Sequence, residues 1–228
     1  LVADLEGAKY ALATSSGMAA SSLVFGLLKE GNHVLFSSNV YGGTFRYFSN
    51  LFEDRGIKGE LVDDVNNLKE EDLKDVTAIF IETPSNPLLE VYDIEHIASL
   101  AHANNALLIV DNTFLTSYFQ KPLDFGADIV VYSATKYYGG HSDVIAGLVV
   151  TNNDDLYTKL KFLHNTYGNI LSPFDSFLLQ RGIKTLGVRL DRHQNNALRM
   201  AEYLDNHQAV KKVYYPGLQT HPGHDIQI

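Results

Sequence analysis

The chain has 228 residues, no cysteine and a formal net charge of −9 at pH 7. Without cysteine it forms no disulfide, binds no metal through thiolates and uses no cysteine nucleophile. The negative charge argues against nucleic acid or an anionic membrane as the main partner.

The ends of the chain carry two expectations. The first ten residues, LVADLEGAKY, lack the basic and apolar regions of a signal peptide, and no apolar run reaches the ~20 residues of a membrane span. We therefore expect a cytoplasmic location. LVADLEG is typical of the end of a helix, with a stop at Gly7, and the C-terminal YYPGLQTHPGHDIQI is typical of a loop. We expect the chain to be truncated at both ends.

Near-continuous apolar runs alternate with segments of helical periodicity. Such runs are typical of strands buried on both faces of a parallel sheet. They predict strands at 33–38, 77–83, 106–113, 127–135 and 145–151. The segment ALATSSGMAA is predicted to pass from another strand into a helix.

Helices are predicted between these strands at 17–30, 43–55, 93–104 and 154–166. In NLKEEDL, Asn67 is predicted to cap a helix with Glu70 as its capping-box partner. From residue 172 a long amphipathic helix is predicted, broken between Gly182 and Gly187. A short strand, VKKVYYP at 210–216, is predicted after it.

The alternation of strands and helices predicts an α/β fold, a mostly parallel sheet with helices on both faces. In such sheets, ligands bind at the carboxyl ends of the strands. Five polar segments follow predicted strands and are expected to converge there. They supply the candidate site residues Ser16, Gly17, Met18, Tyr41, Asn86, Asp111, Thr113, Ser133, Thr135 and Lys136.

This set of side chains suits one ligand chemistry. Free N–H groups at a helix start bind phosphate, and Gly17 lets the backbone approach closely. A buried Asp111 needs a cation beside it, either a nearby lysine or the protonated ring nitrogen of a ligand. Tyr41 can stack on a flat ring and Lys136 can form an imine. Together they predict pyridoxal 5′-phosphate (PLP).

Each element alone has a simpler interpretation. Ser16 to Met18 can be a plain helix cap, Tyr41 a surface residue and Lys136 a solvated charge. His141 is expected to order the turn after the lysine, and no metal site is predicted. A nicotinamide-dependent oxidoreductase is disfavoured because no GxGxxG follows the first strand. An aminotransferase and a non-catalytic scaffold remain alternatives.

The motifs ETPSNP, VDNTF, SATKYYGGHSDVIAG and YGGTFR resemble those of the Cys/Met-metabolism family of PLP-dependent enzymes. The resemblance extends over essentially the whole chain. It implies the aspartate-aminotransferase-type fold (PLP fold type I) with a central seven-stranded mixed sheet. It also implies that residues 1–228 are the PLP-binding large domain, and that an N-terminal arm and a C-terminal small domain lie outside them.

The resemblance also implies a role for each candidate residue. Lys136 forms a Schiff base with PLP, Asp111 bonds the pyridine nitrogen, and Tyr41 stacks on the ring near the substrate; these three are the catalytic residues that the resemblance implies. The phosphate is assigned to the amides of Gly17 and Met18 and the hydroxyls of Ser133 and Thr135. The rest of the cofactor-binding set is Ser16, Thr113 and Asn86, of which Asn86 lies near the phenolic oxygen.

The family resemblance implies a trans-sulfuration enzyme, a carbon–sulfur lyase that cleaves cystathionine or a related sulfur amino acid by β- or γ-elimination. The alternative is a γ-replacement enzyme, cystathionine γ-synthase or a homoserine-ester sulfhydrylase. Gly43 stands where methionine γ-lyases often carry a cysteine, which argues against that activity. The resemblance further implies a homo-oligomer, a dimer-based tetramer with its active site at the subunit interface.

Overall fold

A computed structural model of the chain describes residues 1–227. Its strands form one seven-stranded sheet in the spatial order β1-β7-β6-β5-β4-β2-β3. Strands β3, β2, β4, β5 and β6 run parallel, whereas β7 is antiparallel to both of its neighbours, so the predicted mixed sheet is confirmed. The strands are β1 (Tyr10–Thr14), β2 (His33–Ser37), β3 (Lys58–Val62), β4 (Ala78–Glu82), β5 (Leu107–Asp111), β6 (Ile129–Tyr132) and β7 (Gly147–Thr151).

Helices connect the strands and cover the sheet. Short 3₁₀ turns lie at Glu53–Arg55, Val65–Asn67, Glu70–Leu73 and Pro122–Phe125. No helix within residues 1–227 combines the length and the apolar composition that a bilayer span requires. The α-helices are α1 (Val2–Glu6), α2 (Gly17–Phe25), α3 (Gly42–Leu51), α4 (Ile94–Ala103), α5 (Thr116–Phe119), α6 (Asp154–Tyr167), α7 (Pro173–Ile183), α8 (Leu186–Asp205) and α9 (His224–Gln227).

Hydrophobic layers form on both faces of the sheet, as predicted. Successive side chains of a strand point to opposite faces, so Ile79 and Ile81 of β4 join a layer with α4, α7 and α8. Phe80 of the same strand joins Phe25 and Phe48 in a layer with α2, α3 and α6. Because β4 is buried on both faces, its sequence is a continuous apolar run.

The sheet differs from the prediction in two places. The edge strand β3, KGELV, was not predicted, because its side chains are half-buried or exposed and it carries no apolar run. Residues 210–216 were predicted as a strand, yet they form none. A strand needs a neighbouring edge to satisfy its N–H and C=O groups, and an apolar pattern alone does not supply that edge.

The predicted helix starts agree with the structure within one residue. The predicted ends of α2 at 30 and α3 at 55 are wrong, since these helices end at Phe25 and Leu51, and α9 lies in the C-terminal segment predicted as a loop. Gly7, with φ of 71°, ends α1 as expected, and the long C-terminal helix is broken between α7 and α8. The predicted capping box is wrong, since Asn67 lies in a 3₁₀ turn and donates to Asp64. Instead, the main-chain N–H of Lys69 donates to Asp72 at 2.9 Å.

Glu6, the last residue of α1, is an acidic side chain inside the core. It is fully buried, and neither of its carboxyl oxygens has a hydrogen-bond partner within residues 1–227. Burial raises the pKa of Glu6 from 4.5 to about 8; the charge of Lys121 opposes this shift and that of Asp124 adds to it. Because folding raises this pKa, the stabilisation from a protonated Glu6 is complete below about pH 4.5 and is lost as the pH rises towards 8.

We therefore expect Glu6→Gln, which stays neutral at every pH, to stabilise the protein increasingly as the pH rises. The difference in the free energy of unfolding between variant and wild type grows by about 1.4 kcal/mol per pH unit between roughly pH 5 and pH 8. Urea denaturation at several pH values measures it. Glu202→Gln, at an exposed position of α8, is the control, and a pH-independent difference for Glu6→Gln contradicts the account.

Candidate active site

A cavity of about 250 Å³ opens where β4, β5 and β6 end. Glu82 is the register partner of Asp111, and Asp111 is the partner of Val131, so the three strands end level and their loops start side by side. The structure brings every candidate site residue into the wall of this cavity, and their roles stay predictions. The lining includes Ser16, Gly17, Met18, Tyr41, Asn86, Asp111, Thr113, Ser133, Thr135 and Lys136.

The start of α2 forms one part of the wall. Ser16 is the N-cap residue, and its hydroxyl accepts a hydrogen bond from the N–H of Ala19 at 3.0 Å. The N–H of Ala20 donates to the carbonyl of Ser16. The amides of Gly17 and Met18 precede these bonds, so the helix itself offers them no acceptor. An anion in the cavity can bind them and gains from the helix dipole.

Gly17 is needed for close packing at this helix start. A Cβ atom added at Gly17 would lie 2.8 Å from Cβ of Ser133 and 3.0 Å from its Oγ. Any side chain at position 17 would therefore push against the hydroxyl that, with the helix amides, borders the cavity. This arrangement of glycine, free amides and hydroxyl fits a phosphate group.

Asp111 ends β5 beside the cavity. Its Oδ1 accepts hydrogen bonds from Thr113, from the main-chain N–H at 3.1 Å and from the hydroxyl at 2.6 Å. Burial raises the pKa of Asp111, whereas the Thr113 bonds and the positive charge of Lys136 act in the opposite direction. A cation in the cavity would stabilise the ionised form of Asp111, and a protonated ring nitrogen is such a cation.

Thr113 also links two strands of the site. Its hydroxyl donates to Asp111 and accepts the main-chain N–H of Ser133 at 2.8 Å. The side chain therefore fixes the carboxylate at the end of β5 relative to the loop that carries Lys136. Thr113 can therefore contribute to ligand binding by orienting the carboxylate of Asp111.

Lys136 lies at the mouth of the cavity, in the turn after β6. Its side chain is exposed, and Nζ donates to Ser133 Oγ at 3.4 Å. The turn is held by main-chain bonds from Lys136 to Ser133 and from Gly140 to Lys136. His141 Nδ1 lies 2.8 Å from the carbonyl oxygen of Gly139 in the same turn. An amine in this position can reach a ligand in the cavity.

Two hydroxyls predicted to bind phosphate differ in their surroundings. Thr135 Oγ1 donates to the carbonyl of Ala146 at 3.2 Å and accepts the Ala146 N–H at 3.1 Å. Its proton is therefore used within the chain, and Thr135 would have to rotate to donate to a phosphate. Ser133 Oγ has the lysine amine as its neighbour.

Tyr41 and Asn86 complete the predicted set. Tyr41 is the N-cap residue of α3 and is 52% exposed. Asn86 is exposed in the loop after β4. Both line the cavity beside Glu82. A tyrosine ring that borders a cavity and is only half covered by protein can stack on a flat ligand.

Part of the cavity wall consists of residues outside the predicted set. Ser21 lies one turn along α2 from Gly17, a spacing that could have identified it, and Thr44 lies in the first turn of α3. Phe114 and Ile145 lie in a turn and a loop, so no strand or helix periodicity identifies them. Besides Glu82, the lining residues outside the candidate set are Ser21, Thr44, Phe114 and Ile145. No cluster of three or more metal-ligating side chains occurs in the described residues.

Comparison with known proteins supports the same chemistry. The sequence model of the family described as "Cys/Met metabolism PLP-dependent enzyme" matches residues 1–228. A cystathionine beta-lyase of Lactococcus lactis subsp. cremoris (strain MG1363) is 51% identical over 228 residues, which cover 99% of this chain and 60% of the relative. A cystathionine gamma-lyase of Bacillus subtilis (strain 168) is 49% identical over 230 residues, with 99% and 60% covered.

A solved structure shows the same similarity. Cystathionine gamma-lyase from Lactobacillus plantarum, complexed with L-serine, superposes with a TM-score of 0.94 at 45% identity, over 99% of this chain and 60% of that one. The predicted aspartate-aminotransferase-type fold is thereby confirmed. The chain spans about 60% of the length of these relatives. It belongs to the family of Cys/Met metabolism PLP-dependent enzymes.

Proposed function

We propose that the protein containing this chain is a PLP-dependent carbon–sulfur lyase that cleaves cystathionine or a related sulfur amino acid by β- or γ-elimination. One observation carries the proposal: a single cavity combines an accessible lysine amine, the partly buried carboxylate of Asp111 and the open start of a helix. These groups match the aldehyde, the ring nitrogen and the phosphate of PLP. Relatives named cystathionine beta-lyase and cystathionine gamma-lyase support the substrate class.

Binding of the cofactor is assigned to three groups of residues. The amides of Gly17 and Met18 and the hydroxyl of Ser133 would hold the phosphate. Asp111 would pair with the ring nitrogen, and Tyr41 would cover the ring. Ser16 supports the phosphate site through its cap on α2, and Thr113 supports Asp111 through its two hydrogen bonds.

Catalysis is assigned to Lys136, Asp111 and Tyr41, with the Tyr41 ring beside the substrate. When bound, the cofactor withdraws electrons from the α-carbon of an attached amino acid, which makes the α-proton acidic. Asp111 would pair with the protonated ring nitrogen, and that pairing would favour the ionised carboxylate. Lys136 would hold the cofactor through Nζ and, once displaced by the amino acid, would move protons between Cα and the neighbouring carbon. The carbon–sulfur bond would break with its electron pair going to sulfur, which would leave as a thiol after taking up a proton.

The same cavity also suits γ-replacement, because that reaction needs the same lysine and aspartate. We keep cystathionine γ-synthase or a homoserine-ester sulfhydrylase as the alternative.

We also propose that residues 1–228 form the PLP-binding large domain of a longer protein, which the 60% coverage of its relatives supports. A cytoplasmic location stays a prediction.

We further propose that the protein assembles as a homo-oligomer, a dimer-based tetramer with its active site near a subunit interface. Several exposed large apolar side chains lie between residues 162 and 177. Exposed apolar surface of this kind is typical of protein interfaces. These side chains are Phe162, Tyr167, Ile170, Phe174 and Phe177.

Attachment of the cofactor to Lys136 is testable by reduction. We expect borohydride treatment of the protein loaded with PLP to add the reduced cofactor to the peptide that contains Lys136, because reduction fixes an imine as an amine. Lys136→Arg keeps the charge and should lose the label, whereas Lys159→Arg, at an exposed position of α6, should keep it. Mass spectrometry of the digest measures both, and labelling of Lys136→Arg at wild-type level contradicts the assignment.

The reaction type is testable from its products. We expect cystathionine to give either pyruvate, ammonia and homocysteine by β-elimination or 2-oxobutyrate, ammonia and cysteine by γ-elimination. Asp111→Asn, which keeps the shape and removes the charge, should slow product formation by about a hundredfold or more. If neither set of products forms, but an activated homoserine ester and cysteine give cystathionine, the synthase alternative is correct.

The interface is testable by adding charge to α7. We expect the double variant Phe174→Asp and Phe177→Asp to lower the mass of the assembled protein in light scattering, because burial of two carboxylates in an apolar contact is unfavourable. Tyr214→Asp, an exposed aromatic position outside this segment, is the control. An unchanged mass of the double variant contradicts the proposed surface.

A further inference from the structure

Glu82 is an acidic residue of the cavity wall that the proposed mechanism does not use. It ends the buried strand β4 and is 7% exposed. Because Glu82 and Asp111 are register partners on neighbouring parallel strands, their side chains lie on the same face of the sheet. Two carboxyl groups therefore stand side by side at the edge of the cavity.

The carboxyl group of Glu82 holds the main chain of Tyr41. Glu82 Oε2 accepts the Tyr41 N–H at 2.7 Å, and the main-chain N–H of Glu82 donates to Ser37 Oγ at 3.3 Å. Tyr41 begins α3 with no side-chain capping bond in the described part of the chain. The end of β4 is thus connected both to the last residue of β2 and to the start of α3.

The ring of Tyr41 depends on this main-chain position. A Cβ atom added at Gly43 would lie 2.5 Å from Tyr41 Cε1 and 2.7 Å from Met18 Sδ, so the ring packs closely over the glycine beside Met18. Half of the Tyr41 side chain remains exposed. The N–H that Glu82 accepts belongs to the same residue, so this bond fixes the main-chain position from which the ring extends over Gly43.

The surroundings of Glu82 favour its neutral form, so the bond to Tyr41 does not require a second negative charge beside Asp111. Burial and the charge of Asp111 raise the pKa of Glu82 to about 8, although the hydrogen bonds from the main chains of Tyr41 and Asn86 act in the opposite direction. A carboxyl oxygen of Glu82 can accept the Tyr41 N–H whether the group is neutral or ionised. The other titratable groups on the cavity are Asp111, Lys136 and Tyr41.

We propose that Glu82 is a positioning residue, whose carboxyl group anchors the main chain of Tyr41 and thereby fixes the Tyr41 ring over the cofactor site. This inference rests on the proposed binding of PLP in the cavity. Glu82 acts on the cofactor through Tyr41, whereas Asp111 carries the charge that pairs with the ring nitrogen. Two neighbouring acidic residues thus have different tasks.

Two variants separate the anchor from the charge. Glu82→Gln keeps an acceptor oxygen, and Glu82→Leu keeps a similar volume without one. In hydrogen exchange of the cofactor-free protein, we expect the Tyr41 amide to exchange about tenfold faster in Glu82→Leu, since it loses its acceptor. Glu82→Gln and the control Glu60→Gln, at an exposed position of β3, should stay within about twofold of wild type.

Cofactor binding gives the second readout. In Glu82→Leu we expect an about tenfold higher Kd for PLP and a weaker visible circular dichroism band of the bound cofactor, because the Tyr41 ring is no longer fixed. Glu82→Gln should match wild type in both. If Glu82→Leu does not fold, Glu82→Thr, too short to reach the Tyr41 N–H, takes its place with the same expectations.

The outcomes distinguish this inference from the proposed function. Unchanged exchange of the Tyr41 amide in Glu82→Leu overturns the anchor. Faster exchange with an unchanged Kd and an unchanged dichroism band overturns its effect on the cofactor site. A wild-type protein that binds no PLP overturns the proposed function, while the exchange experiment still measures whether Glu82 holds Tyr41.

Discussion

The register of the parallel strands β4, β5 and β6 is the constraint on which the site depends. Glu82 and Asp111 end their strands as partners, and the chain leaves β6 one residue before Ser133. Loops that are far apart in sequence therefore begin at the same edge. A shift of one residue in the register would turn Asp111 to the opposite face of the sheet and away from Lys136.

This structure removes acidic groups from water, which disfavours their charged forms. Each group is accommodated in a different way. Asp111 accepts two hydrogen bonds from Thr113 and lies near the charge of Lys136. Glu82 accepts a main-chain N–H and has a raised pKa. Glu6, outside the cavity, has only the raised pKa. Asp111, with two hydrogen bonds and a nearby lysine, can stay charged and act on a ligand. Glu6, whose carboxyl oxygens have no hydrogen-bond partner within residues 1–227, favours the neutral form and acts on stability.

Most of the sheet and of the cavity lining could be predicted from the sequence, because strands buried on both faces are continuous apolar runs and their ends carry polar residues. The edge strand β3 was missed since exposure allows it a mixed sequence, and residues 210–216 show that an apolar pattern does not provide a pairing edge. The anchor between Glu82 and Tyr41 joins positions 41 residues apart. Sequence spacing cannot reveal which acceptor a main-chain N–H finds.

The central claim is that the cavity edge pairs a carboxylate with the ring nitrogen of a cofactor attached at Lys136. A crystal structure of the protein with PLP bound tests it most directly. The account predicts the pyridine nitrogen within about 3 Å of an Asp111 carboxylate oxygen, with the phosphate at the amides of Gly17 and Met18. A cofactor bound with its ring nitrogen away from Asp111, or a phosphate outside the start of α2, would contradict it.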